Sequence, residues 1–155
     1  MTVSDTASPV LFDRRDSGVA VVTLNRPERM NAWGGGLPGA FYRCIDRAEA
    51  DPDVRVIVVT GNGRAFCAGA DMGDLDAIGE ASESAGDADV TQLVGERHPY
   101  FVTELRKPVI AAINGACAGM GLTQALMCDI RFAAAGAKFT TAFARRGLIA
   151  EYGIS

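Results

Sequence analysis

The chain has 155 residues, 48% of them apolar, and a formal net charge of −4. That length suits one domain with a real core, and the acid excess disfavours a nucleic-acid binder, whose affinity comes largely from a basic face. No run approaches the ~18 consecutive apolar residues of a membrane span. The four cysteines are widely spaced, none in a CxxC pair, and His98 is the single histidine. With no zinc-ligand spacing, buried thiols in a reducing cytoplasm are expected. Residues 1–9 are small and polar and carry neither a secretory signal nor an Arg-rich transit peptide.

In chain order, β-rich runs at 10–15 and 19–25 are split by Asp16-Ser17-Gly18, which predicts a hairpin. A loop at 28–36 follows Arg26-Pro27. A helix is predicted over 37–49, where Leu37, Phe41, Cys44, Ile45 and Ala48 share one face. Residues 54–60 form a β-branched run suited to a strand covered on both faces, and a glycine-rich loop at 61–69 follows. Residues 74–89 are acidic and weakly patterned, predicting a mobile, solvated segment. Helical spacing returns over 90–106. Pro108 opens a second buried strand at 109–114. A glycine turn, a helix over 120–128 and a third strand at 130–134 come next. Strands alternating with helices predict βαβ units and a parallel sheet. Residues 139–155 are apolar and aromatic with little punctuation, an ending more typical of an interrupted domain than of a polar tail.

Two segments share a design: a strand running into Gly61 through Met72, and a strand running into Gly115 through Gly121 and then a helix. In open α/β sheets, ligands gather at the carboxyl ends of strands. Free backbone N–H groups at such turns and at helix starts favour negative charge. Two converging on one oxygen form an oxyanion hole, suited to a thioester whose carbonyl becomes an enolate. Glycine turns also serve simply as tight turns. They are not phosphate loops, since neither GxGxxG nor a Gly-Lys-Ser/Thr ending is present.

Arg64-Ala-Phe-Cys-Ala-Gly-Ala-Asp71 resembles the first signature of the enoyl-CoA hydratase/isomerase (crotonase) superfamily. Lys107 through Gly115, Gly119-Met-Gly121 and Met127-Cys-Asp-Ile130 resemble the second, and Leu24-Asn-Arg-Pro27 and Met30-Asn-Ala32 resemble the family's entry strand and loop. These segments stand in family order along nearly the whole chain. The resemblance implies an α/β spiral of ββα units, the ClpP/crotonase fold, with residues 1–155 forming its N-terminal core. The family's C-terminal helical region, which supports trimers, is then missing. It also implies coenzyme A thioester substrates, with no permanently bound cofactor and no metal. A homo-oligomer, trimer or hexamer, follows if the fold is completed.

Carried over by residue, the two oxyanion donors fall on the backbone of Ala68 and Met120. Ala68, Gly69, Ala70 and Asp71 would line the coenzyme, with Arg26 or Arg29 near its phosphates. The pattern breaks at the hydratase glutamates, whose positions hold Thr123 and Phe143. Neither transfers protons by carboxylate chemistry. Glu151 is the remaining candidate acid–base, at a position resembling the catalytic aspartate of some superfamily isomerases and a dehalogenase, although a helix-start or surface acid is the plainer reading. Asp71 is expected to cap the short helix after the loop. Cys67 is expected to pack rather than attack, and His98 has no triad partners. The resemblance thus implies an acyl-CoA enzyme of the hydratase/isomerase type. A one-carboxylate isomerase using Glu151 and a non-catalytic acyl-CoA-binding or assembly protein remain as alternatives.

Overall fold

The structure, a computed structural model, describes residues 7–73, 97 and 99–144. The predicted hairpin forms as β1 (Val10–Arg14) and β2 (Val19–Leu24), antiparallel from Val10↔Leu24 to Arg14↔Ala20. On β2 the alternate residues Ala20, Val22 and Leu24 are buried. The predicted helix follows as α1 (Leu37–Ala50), burying Leu37, Phe41, Ile45 and Ala48 along one stripe, the 3.6-residue period expected of a helix on a sheet.

β3 (Val56–Gly61) pairs in parallel with β2, β5 (Val109–Ile113) in parallel with β3, and β7 (Ile130–Ala133) in parallel with β5. The five-stranded sheet runs β1-β2-β3-β5-β7. Asp129 anchors its far side, accepting the Val109 N–H at 2.7 Å. A second helix, α2 (Met120–Met127), precedes β7.

The two glycine turns are not plain loops. Inside them lie β4 (Ala65–Cys67) and β6 (Ala116–Ala118), which pair with β8 (Phe139–Thr140) in a second parallel sheet ordered β4-β6-β8. Strands of three residues are too short to display a period-two pattern, and the flanking glycines disguised them. Three strands of the first sheet are thus each followed by a short strand of the second: β3 by β4, β5 by β6, β7 by β8. Three successive turns of that kind make the spiral expected of a crotonase-like core.

Two expectations need correction or fall outside. The helix predicted over 90–106 is, in its described part, a 3₁₀ helix at Pro99–Glu104. The segment expected to be mobile, 74–89, lies outside the described residues. The sheet's last strand also differs from the others. All four residues of β7 are exposed, Phe132 by 64%, whereas β5 buries Val109, Ala111 and Ile113. Among the described residues, no helix is long and apolar enough to cross a membrane.

Candidate active site

The first arm of the site begins where β3 ends. A methyl group on Gly61 would lie 2.2 Å from the Ala65 carbonyl oxygen, so the chain doubles back onto itself only because no side chain is there. After β4, residues 68–71 run beside the loop 30–33. Ala68 N–H donates to Met30 O at 3.1 Å, Trp33 N–H to Gly69 O at 2.7 Å, and Asp71 N–H to Trp33 O at 3.0 Å. Met30 and Asn31 both have positive φ, 51° and 55°. Asparagine is the residue that tolerates this region best after glycine, and Asn31 also locks the loop. Its Oδ1 accepts the Arg26 N–H at 2.8 Å, and its Nδ2 donates to Asn62 O and Ala65 O at 2.9 and 2.8 Å.

A buried ion pair closes this arm. Arg26 Nη2 donates to Asp71 Oδ2 at 2.9 Å, with the two side chains 15% and 7% exposed. Arg26 Nη1 donates to the carbonyls of Ala32 and Gly34. Asp71 Oδ1 accepts the Gly73 N–H at 3.2 Å, the cap expected from sequence. Burial opposes ionisation of Asp71, but hydrogen bonds from Arg26 and Gly73 and the charges of Arg26 and Arg29 outweigh it, holding the carboxyl below its ordinary pKa. Asp71 is therefore an ionised acceptor, unsuited to donating protons.

Arg26 has acceptors of its own inside the fold. Its guanidinium turns inward to a carboxylate and two carbonyls, because Asp71 offers it a nearby anion inside the fold. An open cavity of about 470 Å³ lies beside it, lined among others by Asn25, Glu28 and Gly35. Arg26 itself lines that cavity as well.

The second arm is held by close backbone approach. A methyl on Gly115 would lie 2.1 Å from Arg64 O, and one on Gly121 would lie 2.3 Å from Cys67 O. The two arms meet at Gly69 and Gly119. Gly69, at φ 104°, would place a methyl 3.3 Å from Ala118 O, and Gly119, at φ 45°, would place one 3.7 Å from the Gly69 Cα. Met120 opens α2 directly after Gly119, and no side chain caps the helix. Its N–H is one of those that a helix start leaves without an intrahelical acceptor.

The structure thus brings the neighbourhoods of Ala68 and Met120 together, but treats their amides differently. The Ala68 amide already has Met30 O as acceptor, a partner that sequence reasoning did not foresee. Thr123 is fully buried, its Oγ1 donating to Gly119 O at 3.3 Å, and Phe143 is buried too. Neither glutamate position of a hydratase therefore offers a proton-transfer group. Glu151 and His98 lie outside the described residues.

Cys67, Cys117 and Cys128 are buried as expected, whereas Cys44 is half-buried. Burial pushes Cys67 and Cys128 up to about 12 and Cys117 to about 11. Asn31, Trp33 and Gln124 are features the sequence reading passed over. Asn31 was visible inside the Met30-Asn-Ala32 segment, but its role depends on carbonyls at positions 62 and 65 that only folding brings near.

The profile described as Enoyl-CoA hydratase/isomerase matches residues 14–155. The 1,2-epoxyphenylacetyl-CoA isomerase of Escherichia coli K12 is 39% identical over 142 residues, covering 89% of this chain and 52% of that protein. A solved enoyl-CoA hydratase, EchA12_1 from Mycobacterium marinum, is 57% identical with a TM-score of 0.73, covering 94% of this chain and 61% of that one. A structure from Legionella pneumophila, assigned to the enoyl CoA hydratase/isomerase (crotonase) class, is 30% identical with a TM-score of 0.82, covering 97% and 56%. The chain spans about half the length of the curated relatives it matches. With the paired sheets, the glycine-packed arms and a profile match along nearly all its length, the chain belongs to the enoyl-CoA hydratase/isomerase family.

Proposed function

We propose that this chain is an acyl-CoA-handling enzyme that stabilises the enolate of a coenzyme A thioester with backbone N–H groups at Ala68 and Met120. The observation that carries this reading is the contact of Gly69 with Gly119, which sets the two glycine arms side by side. The thioester oxygen would take Met120 N–H directly and replace Met30 O as the acceptor of Ala68 N–H. Negative charge on that oxygen is favoured by the start of α2. Residues 68–71 would lie along the coenzyme. Within that segment Asp71 acts through Arg26, which holds the loop 30–34 in position and also lines the open cavity beside it. Residues 1–155 act as one core unit of the spiral, in the cytoplasm and within a homo-oligomer of trimer or hexamer type.

The proton chemistry is assigned to Glu151, which favours 3-enoyl to 2-enoyl isomerisation over hydration. A carboxylate near an acyl chain has its pKa raised by desolvation, which suits a proton shuttle. The test compares hydration of 2-enoyl-CoAs with interconversion of 3- and 2-enoyl-CoAs, using the wild type and Glu151→Gln. Isomerisation without hydration, lost in Glu151→Gln, is the expected result. Activity unchanged in Glu151→Gln would remove that residue from the mechanism.

A second reading, an acyl-CoA-binding protein without chemistry, is favoured by the buried Thr123 and Phe143 and by the ionised state of Asp71. Calorimetry across a panel of acyl-CoAs separates the two readings, because binding with no turnover of any member supports the second.

A further inference from the structure

Among the described residues, three buried side-chain polar atoms have no hydrogen-bond partner, and two of them are Nε2 and Oε1 of Gln124. Gln124 is 5% exposed and lies in the middle of the buried face of α2, between Met120 one turn before it and Cys128 one turn after. The other buried residues of the helix and its end are Met120, Gly121, Ala125, Cys128 and Thr123, whose hydroxyl is already bonded to Gly119 O. Leucine or methionine would fill the same place without leaving a carboxamide unmet. An unpaired buried amide costs about 1–3 kcal/mol, so its presence calls for a partner. The third orphan, Trp33 Nε1, belongs to the loop paired with residues 69–71, on the opposite arm.

We propose that Gln124 is a specificity-determining residue, its carboxamide hydrogen-bonding an oxygen function on the third or fourth carbon of the bound acyl group. This rests on the acyl-thioester reading above and not on its isomerase assignment, whose 2- and 3-enoyl groups carry no oxygen on those carbons. Four residues along a helix rise roughly 6 Å, and side chains lean back toward the helix start. The Gln124 carboxamide is therefore carried toward the level of the Met120 amide, the donor that this reading gives to the thioester oxygen. A side chain with one donor and one acceptor group both unmet suits a hydroxyl, which can satisfy either. A pocket built to hydrogen-bond a polar group discriminates against the analogue lacking it, since the pocket's own group is then left unpaired.

The test uses the 155-residue chain and calorimetric affinities for butyryl-CoA, 3-hydroxybutyryl-CoA and 4-hydroxybutyryl-CoA. In the wild type at least one hydroxyacyl-CoA should bind about tenfold tighter than butyryl-CoA, the order expected for one buried hydrogen bond. In Gln124→Leu and Gln124→Met that ratio should fall to about one. Both variants should melt at or above the wild-type temperature, which keeps a folding defect from mimicking the result. A wild type without preference for either hydroxyacyl-CoA, or a preference that survives both substitutions, overturns the assignment of Gln124 and leaves the thioester reading standing. Failure of the wild type to bind any of the three thioesters overturns both together.

Discussion

The two arms of the site share glycine packing but differ in what else holds them. Residues 61–71 add side-chain latches to the glycine packing at Gly61: Asn31 bonds three backbone groups, and the Arg26–Asp71 pair bridges 45 positions of chain. Residues 115–121 are held by the absence of side chains, with Gly115 and Gly121 pressed against the backbone of Arg64 and Cys67. A polar latch fails when one partner is removed and its mate is left buried. A glycine contact fails when anything is added. The first arm should accordingly respond to pH, and the second should not.

The largest effect is expected from Asp71→Ala, which leaves the Arg26 guanidinium buried without its anion. Loss of one member of such a pair typically costs about 3–5 kcal/mol, readable as a drop in the midpoint of urea unfolding. The same pair sets an acid limb. The Asp71 pKa is depressed in the folded state, so its contribution is complete above the ordinary aspartate value of about 3.9 and is lost as pH falls through the lower, folded value. Unfolding followed from pH 7 downward should show this loss in the wild type. An equally steep acid limb from this site in Asp71→Asn would contradict the assignment.

On the second arm, Met120→Pro removes one N–H at the first position of a helix, where proline is tolerated. If that amide holds the enolate oxygen, kcat should fall by about 10²–10³ while the melting temperature changes little. An unaltered kcat would place the charge elsewhere. Gly121→Ala should instead attack stability, because its new methyl meets the Cys67 carbonyl and Cβ rather than a flexible chain end. Overpacking of this sort costs about 3 kcal/mol, and the loss should be the same at pH 5 and pH 8.

The smallest effect concerns the thiols. Cys67 on the first arm and Cys117 on the second are both buried with raised pKa values, and Cys44 is the one free thiol among the four that is not fully buried. Native-state labelling with a thiol reagent should therefore modify Cys44 first. Fast labelling of Cys67 would show that the arms separate readily.

The main elements were legible because their signals are local. The stripe Leu37, Phe41, Ile45 and Ala48 marks α1, the β-branched run before Gly61 marks β3, and Asp71 announces a cap through its position alone. The family pattern likewise survives in Arg64 through Asp71 and in Lys107 through Gly115, which is how the spiral core was expected before β4, β6 and β8 were seen. Those three short strands carry no periodic signal of their own. They exist because parallel neighbours are delivered to them from residues more than twenty positions away.

By itself, the sequence determined the class of fold, the family and the departure at Thr123 and Phe143, since each is a matter of residue type in order along the chain. Tertiary structure alone decided what the polar groups do. Arg26 met Asp71 and turned inward, Ala68 N–H met Met30 O, and Gln124 met nothing. The physical reason is that a hydrogen bond or an unmet amide depends on which distant groups folding brings within about 3 Å, and residue order does not specify that.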